Sequence, residues 1–347
     1  FALPGIVVSI PAGMLADRYG QKAIGVVSLV LMIAGAAIFA LSDSLPLLGL
    51  GRAISGAGAM TLLVVAPQAL AQWFADREIG IASGVFNSAV PLGVILSLNL
   101  LSVLGEGLGW RASIWASAAV SLVTLGIFVL FFSPAPRRGQ PAPRPSEGLF
   151  RAIRLAGTPI WLVGAAWMFF NAALVSLFTF TPDFLRSAGS SAAQAGMLTS
   201  AVMWPALVLS PLVGYVIDKV GGKRALVAGG GIALSVLLFL VPVAAGWMLA
   251  LLLLIGVAQA MVPAPIFALP PEVTGPQRLG LAFGIISTCL NLGIVAGPAA
   301  TGLVRDVTGS YQASYALMAA FAILIALAML VLGRGQRDQP MLIALFE

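Results

Sequence analysis

The chain has 347 residues, 60% of them hydrophobic and only 9% charged, with 18 basic against 12 acidic side chains and a net charge of +6. A soluble domain carries roughly 25% charged residues, and no water-soluble core of this length hides so much apolar surface, so the composition excludes a soluble globular protein and leaves lipid as the solvent. The basic excess does not point to nucleic acid, because the basic residues are dispersed among short loops. The absence of histidine excludes a His proton relay or a His metal site, and a single cysteine, Cys289, excludes an internal disulfide framework.

A helix needs about 20 apolar residues to cross the hydrocarbon core, and such stretches recur along the whole chain. In order, the pattern predicts eleven helices over 1–16, 23–41, 46–74, 79–104, 111–133, 157–181, 193–217, 224–246, 247–270, 279–304 and 311–333. The interruptions carry loop chemistry: Asp17-Arg18-Tyr19-Gly20, Ser42-Asp43-Ser44, Asp76-Arg77-Glu78 and Gly221-Gly222-Lys223. The segment from Ser133 to about Arg154 is rich in proline and arginine and reads as a semi-rigid linker. The 39 glycines and 22 prolines suit membrane helices, where small residues allow close packing and neighbours re-satisfy broken backbone bonds.

The basic residues set the expected orientation. One set of alternating loops, with the C-terminal tail, holds Arg18, Lys22, Arg77, Arg137, Arg138, Arg144, Arg151, Arg154, Lys219, Lys223, Arg224, Arg278, Arg334 and Arg337; the other holds only Arg111, Arg186 and Arg305. The first set, the linker included, is therefore expected on the cytoplasmic side. Phe1 is not an initiator methionine, and the stretch before Asp17 is too short for a full crossing. The expectation is that the first helix present is the second half of a span and that one helix is missing before it.

Self-comparison at an offset of 200–201 exposes an internal repeat. Gly13-Met14-Leu15-Ala16-Asp17-Arg18-Tyr19-Gly20-Gln21-Lys22 returns as Gly214-Tyr215-Val216-Ile217-Asp218-Lys219-Val220-Gly221-Gly222-Lys223. Gly80-Ile81-Ala82-Ser83-Gly84 returns as Gly280-Leu281-Ala282-Phe283-Gly284, and Trp110-Arg111-Ala112-Ser113 as Tyr311-Gln312-Ala313-Ser314. Equivalent loops fall on the same side, which makes the halves parallel repeats about an axis along the membrane normal.

On these residues the chain resembles the major facilitator superfamily over essentially its whole length. The duplicated segment is similar to that family's loop signature Gly-x-x-x-Asp-Arg/Lys-x-Gly-x-Arg/Lys, with Gln21 where a basic residue is common, and Arg52-Ala53-Ile54-Ser55-Gly56-Ala57-Gly58 resembles the arginine motif of its fourth helix. The resemblance implies an all-α polytopic fold of two parallel-repeat bundles, twelve helices with eleven present, and alternating access around a central cavity. The division expected is 1–133 for the first bundle, 134–155 for a cytoplasmic linker, 156–334 for the second bundle and 335–347 for a cytoplasmic tail.

Gly13 and Asp17 share a helix face. Asp17 closes its own helix, where a negative charge is unfavourable, so it needs a partner; the family pattern suggests the N-terminal end of the helix near Leu279, or Arg77. The expected gating set is Gly13, Asp17, Arg18, Gly20, Lys22, Arg77, Gly214, Asp218, Lys219, Gly221 and Lys223, against the plainer reading of a tight loop anchored by charges. Arg52 lies about 9 Å inside a helix starting at Pro46. A cation near mid-span costs at least about 2.5–3.5 kcal/mol, so Arg52 is either functional or snorkels to the interface. Gly293-Ile294-Val295-Ala296-Gly297-Pro298 resembles the family's antiporter motif, but that motif belongs on the fifth helix, where this chain reads Asn87-Ser88-Ala89-Val90-Pro91; close packing and a kink explain it better.

Mid-span Gln68, Asn87, Asn99, Trp167, Asn171, Trp204, Gln259 and Asn291 are the other cavity candidates, each equally able to make an interhelical hydrogen bond. The expected function is a secondary transporter of a small solute, an organic anion on the strength of Arg52; Trp110-Arg111 and Gln72-Trp73-Phe74 resemble organic-anion and cyanate-type carriers of the family. The expected setting is a bacterial or archaeal inner membrane, with a monomeric protein, a small-molecule substrate, a coupling proton or ion, no cofactor, no metal and no nucleic acid. A non-transporting receptor on a carrier fold is the rival reading. An intramembrane enzyme lacks any paired-carboxylate or nucleophile motif, and a channel needs no two-state gate.

Overall fold

The computed structural model describes residues 2–74, 78–96, 101–133, 153–154, 156–274 and 278–337. Arg77, Asn99, most of the linker and the end of the tail lie outside the described residues.

The described chain is helical from end to end. It runs through α1 (Ala2–Tyr19), α2 (Gln21–Leu41), α3 (Leu45–Trp73), α4 (Ile79–Leu96), α5 (Ser102–Leu108) and α6 (Trp110–Phe131). It continues through α7 (Thr158–Ser187), α8 (Ala192–Ser200), α9 (Met203–Val220), α10 (Lys223–Leu240), α11 (Met248–Ala260), α12 (Pro263–Ala268), α13 (Pro270–Val273), α14 (Leu279–Thr308) and α15 (Tyr311–Arg337). Nine spans among the described residues are long and apolar enough to cross a membrane. The fold is that of an all-α membrane protein with two repeated halves.

Several spans expected as single helices are interrupted, and proline accounts for most of the breaks. Pro205 carries no N–H to continue a helix from Ala201, and the span over 193–217 divides into α8 and α9 at Ala201–Val202. Pro242 lies in a 3-10 turn, Val241–Val243, that ends α10 early. Pro263 and Pro270 open α12 and α13 after α11 stops at Ala260. α4 is described as far as Leu96, and α5 lies beyond residues 97–100, which are outside the described residues.

Polar side chains within apolar helices mostly return their hydroxyls to their own backbone, which removes the cost of a free donor in lipid. Ser28 donates to Ile24 O at 2.7 Å, Thr61 to Ala57 O at 2.8 Å and Ser210 to Ala206 O at 2.7 Å.

Contacts divide the chain into two units. The first comprises Phe1–Ala75, Leu92–Gly157 and Pro270–Asn291; the second comprises Asp76–Pro91, Thr158–Leu269 and Leu292–Glu347. Within the first, α2 packs along α3 and α6, and α1 packs on α3. Within the second, α15 packs on α7 and α10, and α9 and α10 pack on α11. The segment with Gly80 and Gly84 thus belongs to the second unit, and the segment with Gly280 and Gly284 to the first.

Candidate functional site

The tight turns come first. Gly20 at φ 86° joins α1 to α2, and Gly221 at φ 73° joins α9 to α10. Only glycine enters that region without strain, so each repeat motif ends its helix at the same place and leaves its aspartate in the last turn.

Each aspartate then meets the start of another helix. Asp17 Oδ1 accepts from Gly280 N at 2.8 Å and Oδ2 from Leu281 N at 3.0 Å. Asp218 Oδ1 accepts from Gly80 N at 2.7 Å and Oδ2 from Ile81 N at 2.8 Å. The opening N–H groups of a helix have no partner within it and carry the positive end of its dipole. A carboxylate there is satisfied twice, by hydrogen bonds and by charge. Of the two partners considered for Asp17, the structure shows the helix end; Arg77 lies outside the described residues.

The approach is close because the contacting residues have no side chain. A Cβ on Gly13 would run into the Gly280 carbonyl, and one on Gly280 into the Gly13 carbonyl and the Asp17 carboxylate. The second unit repeats this: a Cβ on Gly214 would strike the Gly80 carbonyl, and one on Gly80 the Gly214 carbonyl and Asp218. One turn further on, Gly284 faces Ser9 O and Gly84 faces Ser210 O. The two seams are backbone-to-backbone contacts of the small-residue type known between membrane helices.

The rest of the expected gating set surrounds these contacts. Arg18 is exposed over the Tyr19 ring at 5.2 Å and Lys219 over Tyr215 at 4.5 Å. Lys22 is half-buried. Lys223 Nζ donates to Ala268 O at 3.2 Å.

In the first unit, the expected binding residues do not gather. Arg52 is exposed on α3, stacked over Phe39 at 5.0 Å, and no carboxylate pairs with it among the described residues. Gln68 is completely buried, and its Nε2 donates to Asp17 Oδ1 at 2.8 Å. Asn291 is completely buried against Gly5, with Nδ2 on Ser287 O at 2.7 Å and Oδ1 unpartnered.

In the second unit, Trp167 is buried, stacked on Phe170 at 5.0 Å and edge-on to Phe267 at 5.3 Å, with its indole N–H unpartnered. Asn171, one turn along α7, donates to Trp167 O at 2.8 Å, and Asn87 donates to Ser83 O at 2.8 Å. Trp204 is 56% exposed. Gln259 is buried and donates to Val202 O at 2.7 Å, at the break between α8 and α9. Within the second unit, Asn171 and Trp167 are brought together.

Sequence reasoning named neither Gly280 nor Gly80 as a site residue, although the repeat had marked both. It also missed the contact between Ser9 and Ser287, whose hydroxyls lie 3.2 Å apart, and the pairing of Arg111 with Asp43 and Ala40 O. Nothing local announces those partners. No group of three or more Cys, Asp or Glu side chains converges among the described residues as a metal centre would require.

The family model described as the Major Facilitator Superfamily matches residues 1–191 and 179–342. The chain belongs to the Major Facilitator Superfamily. It is 25% identical to a probable sulfoacetate transporter of Cupriavidus necator, over 95% of this chain and 82% of that protein. It is 23% identical to a nitrite extrusion protein of Bacillus subtilis, over 92% of this chain and 80% of that one. Among solved structures it superposes on the human organic anion transporter MFSD10 with a TM-score of 0.81 at 18% identity, covering 95% of this chain and 82% of that one. The chain is an integral membrane protein of a family of secondary transporters for small solutes.

Proposed function

We propose that this protein carries a small organic anion across the membrane by alternating access, with the Asp17 and Asp218 contacts as its cytoplasmic gate. The duplicated clamp carries the reading. Two carboxylates close two helix N-termini in matching geometry, at 2.7–3.0 Å. A contact of this kind is strong when made and is lost as a unit when the helices part, which suits a two-state element. The excess of basic residues in one set of loops supports a cytoplasmic position for these ends, the linker and the C-terminal tail, in what we take to be a bacterial or archaeal inner membrane.

The anion preference rests on Arg52, a guanidinium well inside α3 that is exposed and has no carboxylate partner among the described residues. Its planar fork suits a carboxylate or sulfonate in two parallel hydrogen bonds. The names of relatives that move sulfoacetate or nitrite agree with that chemistry.

The test is uptake by proteoliposomes of the full protein, screening carboxylates, sulfonates and nitrite against neutral and cationic solutes, with and without a pH gradient. Saturable uptake of an anion is expected. Arg52→Gln should weaken it by roughly ten- to a hundred-fold, the value of a charge-assisted contact of about 1.5–3 kcal/mol, and Arg52→Lys by less. Transport confined to neutral or cationic solutes, or unaltered by Arg52→Gln, would sink the anion reading and return Arg52 to the interface.

A further inference from the structure

We propose that Gln68 is a positioning residue of the first clamp, fixing the Asp17 carboxylate across the N-terminus of α14 and making that clamp the harder of the two to release. The proposal rests on the gate reading above. Gln68 projects from α3 and is completely buried. Its Nε2 lies 2.8 Å from Asp17 Oδ1, the oxygen that also accepts from Gly280 N. Three donors therefore hold this carboxylate, from α14 on one side and from α3 on the other. The amide is oriented by chemistry, since only its nitrogen can donate to a carboxylate.

The other end of the same amide is costly. Gln68 Oε1 is buried without a hydrogen-bond partner, a condition that disfavours a polar side chain unless its other half makes a stronger bond. Leucine or methionine would fill the space without an orphaned oxygen, and neither would reach Asp17 with a donor. An amide kept at that cost points to the donor as its purpose.

The second clamp lacks the counterpart. The repeat offset of 200–201 brings Gln68 to Ala268 or Leu269, neither of which has a polar side chain, and the Ala268 carbonyl is engaged by Lys223 Nζ. α3 is continuous over Leu45–Trp73, whereas the corresponding stretch is broken into α11, α12 and α13 by Pro263 and Pro270. Among the described residues Asp218 is held by backbone N–H groups alone. One side chain thus distinguishes two otherwise matching contacts, and release should begin at the second.

Cys289, the single cysteine, is buried in the part of α14 that packs on α1, next to Thr288, whose hydroxyl meets Ile6 O at 3.4 Å. Its alkylation by N-ethylmaleimide in inverted membrane vesicles reports opening of that seam. Asp17→Asn should raise the rate about ten-fold, the loss of one charge-assisted contact. Gln68→Leu should raise it several-fold, and so should Gln68→Met, which keeps the length of the side chain but has no donor. Gln68→Leu added to Asp17→Asn, whose one remaining oxygen is a weaker acceptor, should give less than the product of the two single effects.

Wild-type rates in Gln68→Leu and Gln68→Met, with Asp17→Asn still raised, would make Gln68 a filler and leave the gate standing. An additive double variant would do the same. A wild-type rate in Asp17→Asn would overturn the gate reading, and this proposal with it. Gln68→Met replaces the leucine variant if that one does not reach the membrane.

Discussion

The clamp at Asp17 and the clamp at Asp218 share a backbone and differ in what surrounds it. Both place an aspartate in the last turn of a helix, a glycine one turn earlier, and the first N–H groups of a second helix opposite. At Asp17 a buried amide joins from α3; at Asp218 the equivalent position is apolar, Ala268 or Leu269, in a stretch broken by proline. The shared part is what geometry cannot do without, because any side chain at Gly13, Gly214, Gly80 or Gly280 would strike a backbone atom. The part that differs only modulates strength. A repeat can therefore keep its mechanism while its halves diverge in how firmly they hold.

The largest expected effect should abolish the difference between the clamps. Gly13→Val and Gly214→Val each drive carbon into a carbonyl of the facing helix. Overpacking of this kind costs about 1–3 kcal/mol, and the displaced helix end takes the aspartate's hydrogen bonds with it. Both variants should lose most anion uptake in proteoliposomes while still reaching the membrane. Normal uptake by either one would mean that its close approach is dispensable, and the two seams would no longer be equivalent.

A smaller change should reveal the difference. Asp17→Asn and Asp218→Asn keep size and one acceptor oxygen but remove the charge from a helix N-terminus, a loss of about 0.3–2 kcal/mol depending on burial. The first should shift the protein further toward the inward-open population than the second, by about ten-fold against about three-fold. Cysteine accessibility from each side of the membrane measures both. Equal shifts, or the reverse order, would remove the asymmetry assigned to Gln68.

Much of this was legible in the sequence, and the reason is periodicity. Apolar stretches gave the spans, and two copies of a ten-residue motif gave the repeat, its loops and the aspartates. Even the facing helix near Leu279 followed from the family pattern. The amides were another matter. Gln68, Gln259 and Asn291 look alike as polar residues in apolar spans, yet the structure sends one to a carboxylate, one to the carbonyl of Val202 at a helix break and one against Gly5. What separates them is a partner 51 or 57 residues away in the case of the glutamines, and no local pattern encodes that. The breaks near Val202 and Met261 were obscured for a related reason. Proline is tolerated inside membrane helices, as Pro67, Pro182 and Pro298 are here, so its presence alone does not mark an end.

The smallest effect belongs to the hydroxyls that line the two seams. Ser287 approaches Ser9 at 3.2 Å, but Ser9 also lies 2.6 Å from Gly5 O, so Ser287→Ala leaves Ser9 satisfied. In the other seam Ser88 reaches Leu207 O at 3.2 Å and also its own-helix Gly84 O at 3.1 Å. Interhelical hydrogen bonds between such groups in membranes average about 0.6 kcal/mol, a factor of about two to three in an equilibrium. Ser287→Ala should therefore raise Cys289 alkylation by no more than that factor, and Ser88→Ala should reduce uptake by no more. Ser287→Ala should fall well short of Asp17→Asn in the same seam. If Ser287→Ala matched Asp17→Asn, the first clamp would be held by its hydroxyl pair rather than its carboxylate. The two clamps would then differ in kind, because the second has no serine pair across its seam among the described residues.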